Sequence, residues 1–434
     1  MSERETSTDY RRPYRPRPLR LANRALAALL RGPLRTSLDE RSLFRAAERK
    51  CGLTDFGEPS FREPLARLLA AVEDEASLHP IGRLITRTRL VAALCTRARL
   101  EALFARHPEI AREPVARPIV ILGLPRTGTT LLHRLLASDP RIRALASWEA
   151  LAPAPLDGPN ERQRRIAAAV RAEKALAYMA PDFFAVHPIA ALAPEEDVLL
   201  LDLAFRSTVA ESTLRVPSFA AWLEEQDQSP AYRYLARALQ ALQWQRRPDG
   251  AHGGWVLKTP HHMEWIDELD AVFPDALFVW THRDPAEVVP SFCSMIAHGR
   301  GVFSDVVDPH EIGASWLRKG ARMMDRAMDA RARLGERRFV DVRYRELMKD
   351  PIGVTRAIEE RAGMPWSAAV EARLAATLAV EKQHRHGVHR YRLEDFALAD
   401  ADVDRAFARY RDRFPPDADK RAAAPRTTTD QPTR

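Results

Sequence analysis

Six consecutive residues, Pro125-Arg126-Thr127-Gly128-Thr129-Thr130, have the types and order needed to hold an anion. The run before them, Arg117-Pro-Ile-Val-Ile-Leu-Gly-Leu124, is short, apolar and β-branched, which reads as a buried parallel strand. The run after them, Thr130–Ala137, carries leucines at helical spacing. Strand, glycine-bearing turn and helix start bring unpaired backbone N–H groups and the positive end of a helix dipole toward one point. Gly128 lets the backbone approach closely, and the hydroxyls of Thr127, Thr129 and Thr130 add donors. The competing use is a plain strand–turn–helix with threonine caps.

The charge in this loop selects among anions. Gly123, Gly128 and Thr130 match the spacing of the nucleoside triphosphatase loop G-x-x-x-x-G-K-[ST], but Thr129 stands where its lysine belongs and Arg126 supplies the cation. A γ-phosphate needs Mg²⁺ and that lysine to balance several negative charges. A phosphosulfate ends in a group of single charge, for which hydroxyls, N–H groups and one cation suffice without a metal. A second anion grip is Thr281-His-Arg-Asp-Pro285, at the end of another apolar run, with Ser291 eight positions after Arg283. An arginine at a strand's carboxyl end can hold a phosphate bidentately, and a hydroxyl two helical turns on can complete the contact. A capping turn with an Arg–Asp pair is the alternative.

These two segments resemble the donor-binding motifs of the sulfotransferase family, where the first holds the 5′-phosphosulfate and the second the 3′-phosphate. Trp255-Val-Leu-Lys-Thr-Pro260 resembles the family's strand-end Lys-Thr segment. Arg343-Tyr-Arg-Glu-Leu347 with Asp350-Pro351 resembles its Tyr-x-x-Leu…Asp-Pro segment, and His389-x-Tyr391 a His-x-Tyr element of the bacterial branch. The resemblance spans about 117–400; the Lys-Gly-x-x-Gly segment of the animal members is not seen, which leaves Arg385, Arg390 and Arg392 as candidates to complete the nucleotide site. It implies sulfuryl transfer from 3′-phosphoadenosine 5′-phosphosulfate to a hydroxyl, with no metal required and a small-molecule or lipid acceptor. Donor binding would fall to Arg126, Thr127, Gly128, Thr129, Thr130, Arg283 and Ser291, and charge stabilisation to Arg126 and Lys258.

The base that takes the acceptor proton is open. Glu149 in Ser147-Trp-Glu149 is preferred by likeness to other branches, then His262 in Lys258-Thr-Pro-His-His262, then Glu196, with Glu195, in Pro194-Glu-Glu-Asp197. Proline followed by acids is also how helices begin. Two other readings stay open. A P-loop-like small-molecule kinase would need the missing lysine and a Mg²⁺-binding acid, for which Asp284 is nearest a strand end. A non-catalytic nucleotide-binding scaffold would have no use for Arg126, Lys258, Arg283 and Ser291 together.

The elements that must position these groups alternate. Strand runs at 117–124, 254–258, 276–282 and 338–343 are separated by helical stretches, including 309–334. That implies an α/β fold of three layers around a central parallel sheet. Residues 19–115 read as a helical N-terminal segment, 116–414 as the catalytic domain with a helical insertion at about 151–250, and 1–18 and 415–434 as segments without fixed structure. The 434 residues are 46% hydrophobic and 29% charged with a net charge of +8, mostly arginine scattered along helices rather than a basic–aromatic stripe, so nucleic acid is not an expected partner. Cys51, Cys95 and Cys293 are far apart, which excludes a disulfide framework or cysteine zinc site and suits a cytoplasmic protein. No run is long enough to span a membrane. The stretch Leu19–Leu34 is basic and amphipathic, compatible with a membrane surface, although packing on the domain is the expectation.

Overall fold

In the computed structural model, residues 8–29, 35–246, 253–380 and 391–415 are described. Five strands form one parallel sheet: β1 (Ile119–Leu122), β2 (Arg143–Ala144), β3 (Trp255–Lys258), β4 (Leu277–His282) and β5 (Phe339–Arg343), in the order β2-β3-β1-β4-β5. β1 is central, with β3 on one side and β4 on the other, so the chain crosses to both of its sides. Its carboxyl end is therefore the switch point at which α/β sheets open a crevice.

Side-chain alternation builds a core on each face. Ile119 and Ile121 point, with Val256, Val279 and Val342, toward Leu132, Leu136, Leu347 and Ile358. Val120 and Leu122 point, with Leu257, Phe278 and Trp280, into a larger core that includes Leu235, Phe292 and Met323. The three-layer α/β class expected from the sequence is the fold observed. Helices Glu40–Cys51, Arg62–Glu75 and Pro80–Arg106 form a separate core that also takes in Phe205 and Phe219 of the middle insertion. Local chemistry sets their ends: Asp39 accepts from Ser42 N–H at 2.9 Å, and Gly52 closes the first of them at φ 71°.

One expectation changes at the N-terminus. Two side chains within 8–18 are anchored: Tyr10 is buried with its hydroxyl 2.8 Å from Ser294 Oγ, and Arg15 is buried against Ser304 O at 2.9 Å. The aromatic and polar partners lie almost 300 residues away, which is why local composition did not show it. Residues 1–7 and 416–434 lie outside the described residues, as do His389, Arg385 and Arg390.

Before β2, the fully buried Asp139 and Glu359 share Arg141, at 2.5 and 3.3 Å. Burial, with the Asp139 charge beside it, pushes the Glu359 carboxyl up to about 7. A folded-state value above the ordinary one of 4.5 stabilises the fold at low pH, and that contribution is lost as pH rises through about 7. Glu359→Gln is therefore expected to gain melting temperature relative to the parent between pH 4.5 and 7; a constant difference across that window would contradict it.

Candidate active site

β1, β3 and β4 end side by side, and the charged residues sit on those ends. Strand register pairs Lys258 with Ile121 and Trp280 with Leu122, so the loop after β1, Lys258 and the Arg283 turn share one edge. The loop helix Thr129–Ala137 starts at Gly128, held at φ 90°, a left-handed conformation natural to glycine. A side chain there would also press on Leu347. Arg126 itself has φ 72°, an uncommon value for a non-glycine residue, and its side chain is exposed at the mouth of the loop.

Arg126 Nε donates to Ser291 Oγ at 3.1 Å, and Nη1 reaches the Val186 carbonyl at 3.5 Å. Arg283 Nη1 donates to the Arg126 carbonyl at 2.8 Å, Nε donates to Glu287 at 2.9 Å, and the guanidinium lies 4.2 Å from the Tyr344 ring centre. Arg126, Ser291 and Arg283 are thus brought together. Thr129 is buried and Thr130 exposed at the helix start. Thr127 differs from its expected side-chain use: its hydroxyl is fully buried, donating to Leu124 O at 2.7 Å and lying 2.6 Å from Thr281 Oγ1. It braces the loop against β4, and only its backbone remains for a ligand.

Lys258 Nζ donates to Glu196 Oε1 at 2.6 Å, and its backbone N–H to Asp197 Oδ1 at 2.8 Å. Two adjacent acids therefore grip one lysine from opposite ends. Asp197 is fully buried; burial alone would raise its carboxyl, but the neighbouring His262 and the Lys258 N–H hold it below the usual range. His262 lies with Nε2 2.7 Å from Asp197 Oδ2, off the line of a good hydrogen bond, and Nδ1 2.9 Å from Tyr232 Oη. Below Lys258, burial and the lysine's charge push His133 down to about 3, so this imidazole is neutral near pH 7.

The two preferred bases are both buried and already partnered. Glu149 is buried, accepting from Arg246 Nε at 2.9 Å and from the Ala146 N–H at 3.1 Å. It caps its own short helix and neutralises Arg246 beside β2. His262 has no exposed surface. Glu196 keeps 22% of its side chain exposed while touching Lys258. Asp197 and Tyr344 were not singled out from the sequence: one was a helix-start acid among several, the other part of a matched segment without a role. Arg392 is exposed, and its ion partner is Asp395 at 3.9 Å.

The Arg283 strand end is held from behind by the C-terminal segment. His282 lies 3.0 Å from Tyr410 Oη and 2.9 Å from Asp341 Oδ1 and stacks on Phe414, while Arg411 pairs with Asp284 at 2.6 Å. A cleft opens here between β4 and β5, lined by Arg283, Glu287, Arg343, Tyr344, Tyr410 and Phe414.

Known proteins share this fold. The profile of the sulfotransferase family matches residues 118–368. Sulfotransferase STF9 from Mycobacterium avium superposes with a TM-score of 0.78 at 32% identity, over 88% of this chain and 99% of that one. Sulfotransferase STF1 from Mycobacterium tuberculosis H37Rv gives 0.75 at 32% identity, over 86% and 99%. The omega-hydroxy-beta-dihydromenaquinone-9 sulfotransferase Stf3 of Mycobacterium tuberculosis is 27% identical over 319 residues, 68% of this chain and 74% of its own. A match over more than half the chain, joined to two whole-length structural likenesses, places it: the chain belongs to the sulfotransferase family.

Proposed function

We propose that this sulfotransferase uses 3′-phosphoadenosine 5′-phosphosulfate as donor and an apolar molecule with a hydroxyl group as acceptor, with Glu196 as base. The observation that carries the reading is the Glu196–Lys258 contact at the edge where the Arg126 loop and Arg283 also end. The donor set fits such a nucleotide. The loop N–H groups and Arg126 suit the phosphosulfate, Arg283 suits the 3′-phosphate with the buried Ser291 bracing Arg126 beside it, and the aromatic-walled cleft beside Tyr344 suits the nucleoside.

Glu196 accepts the acceptor's proton as its oxygen forms a bond to sulfur. The bond from sulfur to the donor's bridging oxygen breaks, and Lys258 with the loop N–H groups neutralises the charge left on that oxygen. Asp197, fixed by His262, holds the backbone of Lys258 so that the ammonium stays on this edge. The short helix Pro181–Val186 abuts Arg126 through Val186 and carries the half-buried Phe183 and Phe184, a surface suited to an apolar acceptor. Stf3, whose name specifies a hydroxylated menaquinone, is consistent with an acceptor of that class. Phe219, Tyr232 and Tyr234, by contrast, are core.

Thermal melts separate this donor from ATP. Adenosine 3′,5′-bisphosphate at about a hundred times its Kd should stabilise the protein by roughly 2.7 kcal/mol. Arg126→Ala and Arg283→Ala should each weaken that shift. A shift with ATP and Mg²⁺ but none with the bisphosphate would overturn the donor assignment.

A further inference from the structure

The helix Arg17–Leu29 divides its leucines between the domain and the solvent. Its one fully buried residue is Asn23, whose Oδ1 accepts from the Ile81 N–H at 3.0 Å. Leu19, Ala22 and Leu26 share that inner side and are half-buried, so packing on the domain uses two of the leucines. The other two face away from it: Leu21 is 64% exposed and Leu29 66%. At 100° per residue, Pro18, Leu21, Ala25 and Leu29 form one outward strip, and Arg17, Arg20 and Arg24 form the strip beside it. The helix contains no acid. Leu84, one turn beyond the Ile81 contact, is also half exposed.

Exposed leucines flanked by arginines on a firmly anchored helix match one kind of surface, in which apolar side chains enter between lipid tails and arginines meet phosphate headgroups. The anchor is substantial. Arg15, just ahead of the helix, is buried and bonded to the carbonyls of Gly301 and Ser304 and to Asp305. The nearby acid Asp308 is countered by Arg11 at 3.3 Å, so the face presented outward stays basic. No helix among the described residues is long and apolar enough to cross a membrane. The attachment is therefore lateral, through one helix lying on the surface.

The geometry points to Arg17–Leu29 as a docking face for an anionic phospholipid surface. Its placement relative to the reaction edge gives the docking a use. Tyr10 Oη touches Ser294, three residues on from Ser291, and the seven residues from Tyr10 to Arg17 span at most about 25 Å. A chain docked by this helix is thereby tied, through Tyr10, to the helix that carries Ser291, on a molecule held against the phase in which an apolar alcohol would be concentrated. The docking itself does not depend on the acceptor or donor assignments.

Vesicle sedimentation tests it with the full chain. Vesicles of equal phosphatidylglycerol and phosphatidylcholine should bind the parent at about 0.05 M salt and release it at about 0.5 M, with little binding to phosphatidylcholine alone. The triple variant Arg17→Glu, Arg20→Glu, Arg24→Glu should lower binding by about tenfold or more. Leu21→Ser with Leu29→Ser should lower it at about 0.05 M salt although the arginines are kept. All these side chains are exposed, and unchanged melting curves and bisphosphate shifts would show that fold and nucleotide site are intact. Equal binding by parent and triple variant would overturn the inference. So would phosphatidylcholine binding as strong as phosphatidylglycerol binding, or a dimer in solution that the arginine variants dissociate, which would assign the face to a second copy of the chain.

Discussion

Glu196→Gln should lower kcat by roughly two to four orders of magnitude while leaving the thermal shift with adenosine 3′,5′-bisphosphate in place. Glutamine keeps the size and one oxygen for Lys258 but cannot take a proton. The residues proposed to grip the nucleotide, Arg126 and Arg283 with Ser291 behind them, do not touch Glu196 among the described contacts. Glu149→Gln is the informative companion. Its partners are Arg246 and the Ala146 N–H, so it should lower stability, with kcat falling far less in the folded fraction. The reverse pattern, with Glu149→Gln abolishing turnover and Glu196→Gln nearly normal, would return the base to Glu149. Single-turnover rates with saturating donor separate the two.

The second large effect concerns stability. Lys319 is almost wholly buried, with Nζ 2.9 Å from Glu264, 3.1 Å from Glu211 and 3.1 Å from Glu224. Arg322 and Arg318 complete the network at 2.7 Å from Glu264 and 2.8 Å from Glu224. Lys319→Met removes the cation and leaves carboxylates buried, a loss of about 3–5 kcal/mol measured by urea unfolding. Burial already raises Glu211 above the ordinary carboxylate range despite Lys319. A raised folded-state value favours the fold at low pH and ceases to do so as pH rises. The deficit of Lys319→Met should therefore be smallest near pH 5 and grow toward pH 7. Adding Glu211→Gln should recover part of it. A deficit below about 1 kcal/mol at pH 7 would mean that the arginines carry the balance alone.

β1, β3 and β4 were legible because burial on both faces forces continuous apolar runs, here at 117–124, 254–258 and 276–282; β5, within 338–343, is an edge strand with Asp341 exposed and was legible from its aromatic and β-branched residues. β2 was not legible, since two residues, Arg143 and Ala144, carry no pattern at all. Strand order was equally hidden, because no local signal says that β1 lies between β3 and β4. At the reaction edge, Arg126, Lys258, Arg283 and Ser291 could be located because strand ends and a helix start define where they must point. The role of an acid could not. Glu149 meets Arg246 and His262 meets Asp197 and Tyr232 only after folding, and those pairings decide which carboxylate retains access to an acceptor.

The central position of β1 sets a timetable for the chain's synthesis. Ile119–Leu122 leaves the ribosome with neither neighbour made, since Trp255 of β3 follows roughly 130 residues later and Leu277 of β4 later still. At about 5–20 residues per second, an apolar strand with both edges open waits some 7–27 s for its first long-lived partner. β2, the only strand among the described residues of that interval, joins β3 and not β1. Until then, the helices Glu40–Cys51, Arg62–Glu75 and Pro80–Arg106 are the surface already available to a nascent chain, and the strand most needed by the finished enzyme is the one most exposed to aggregation on the way to it.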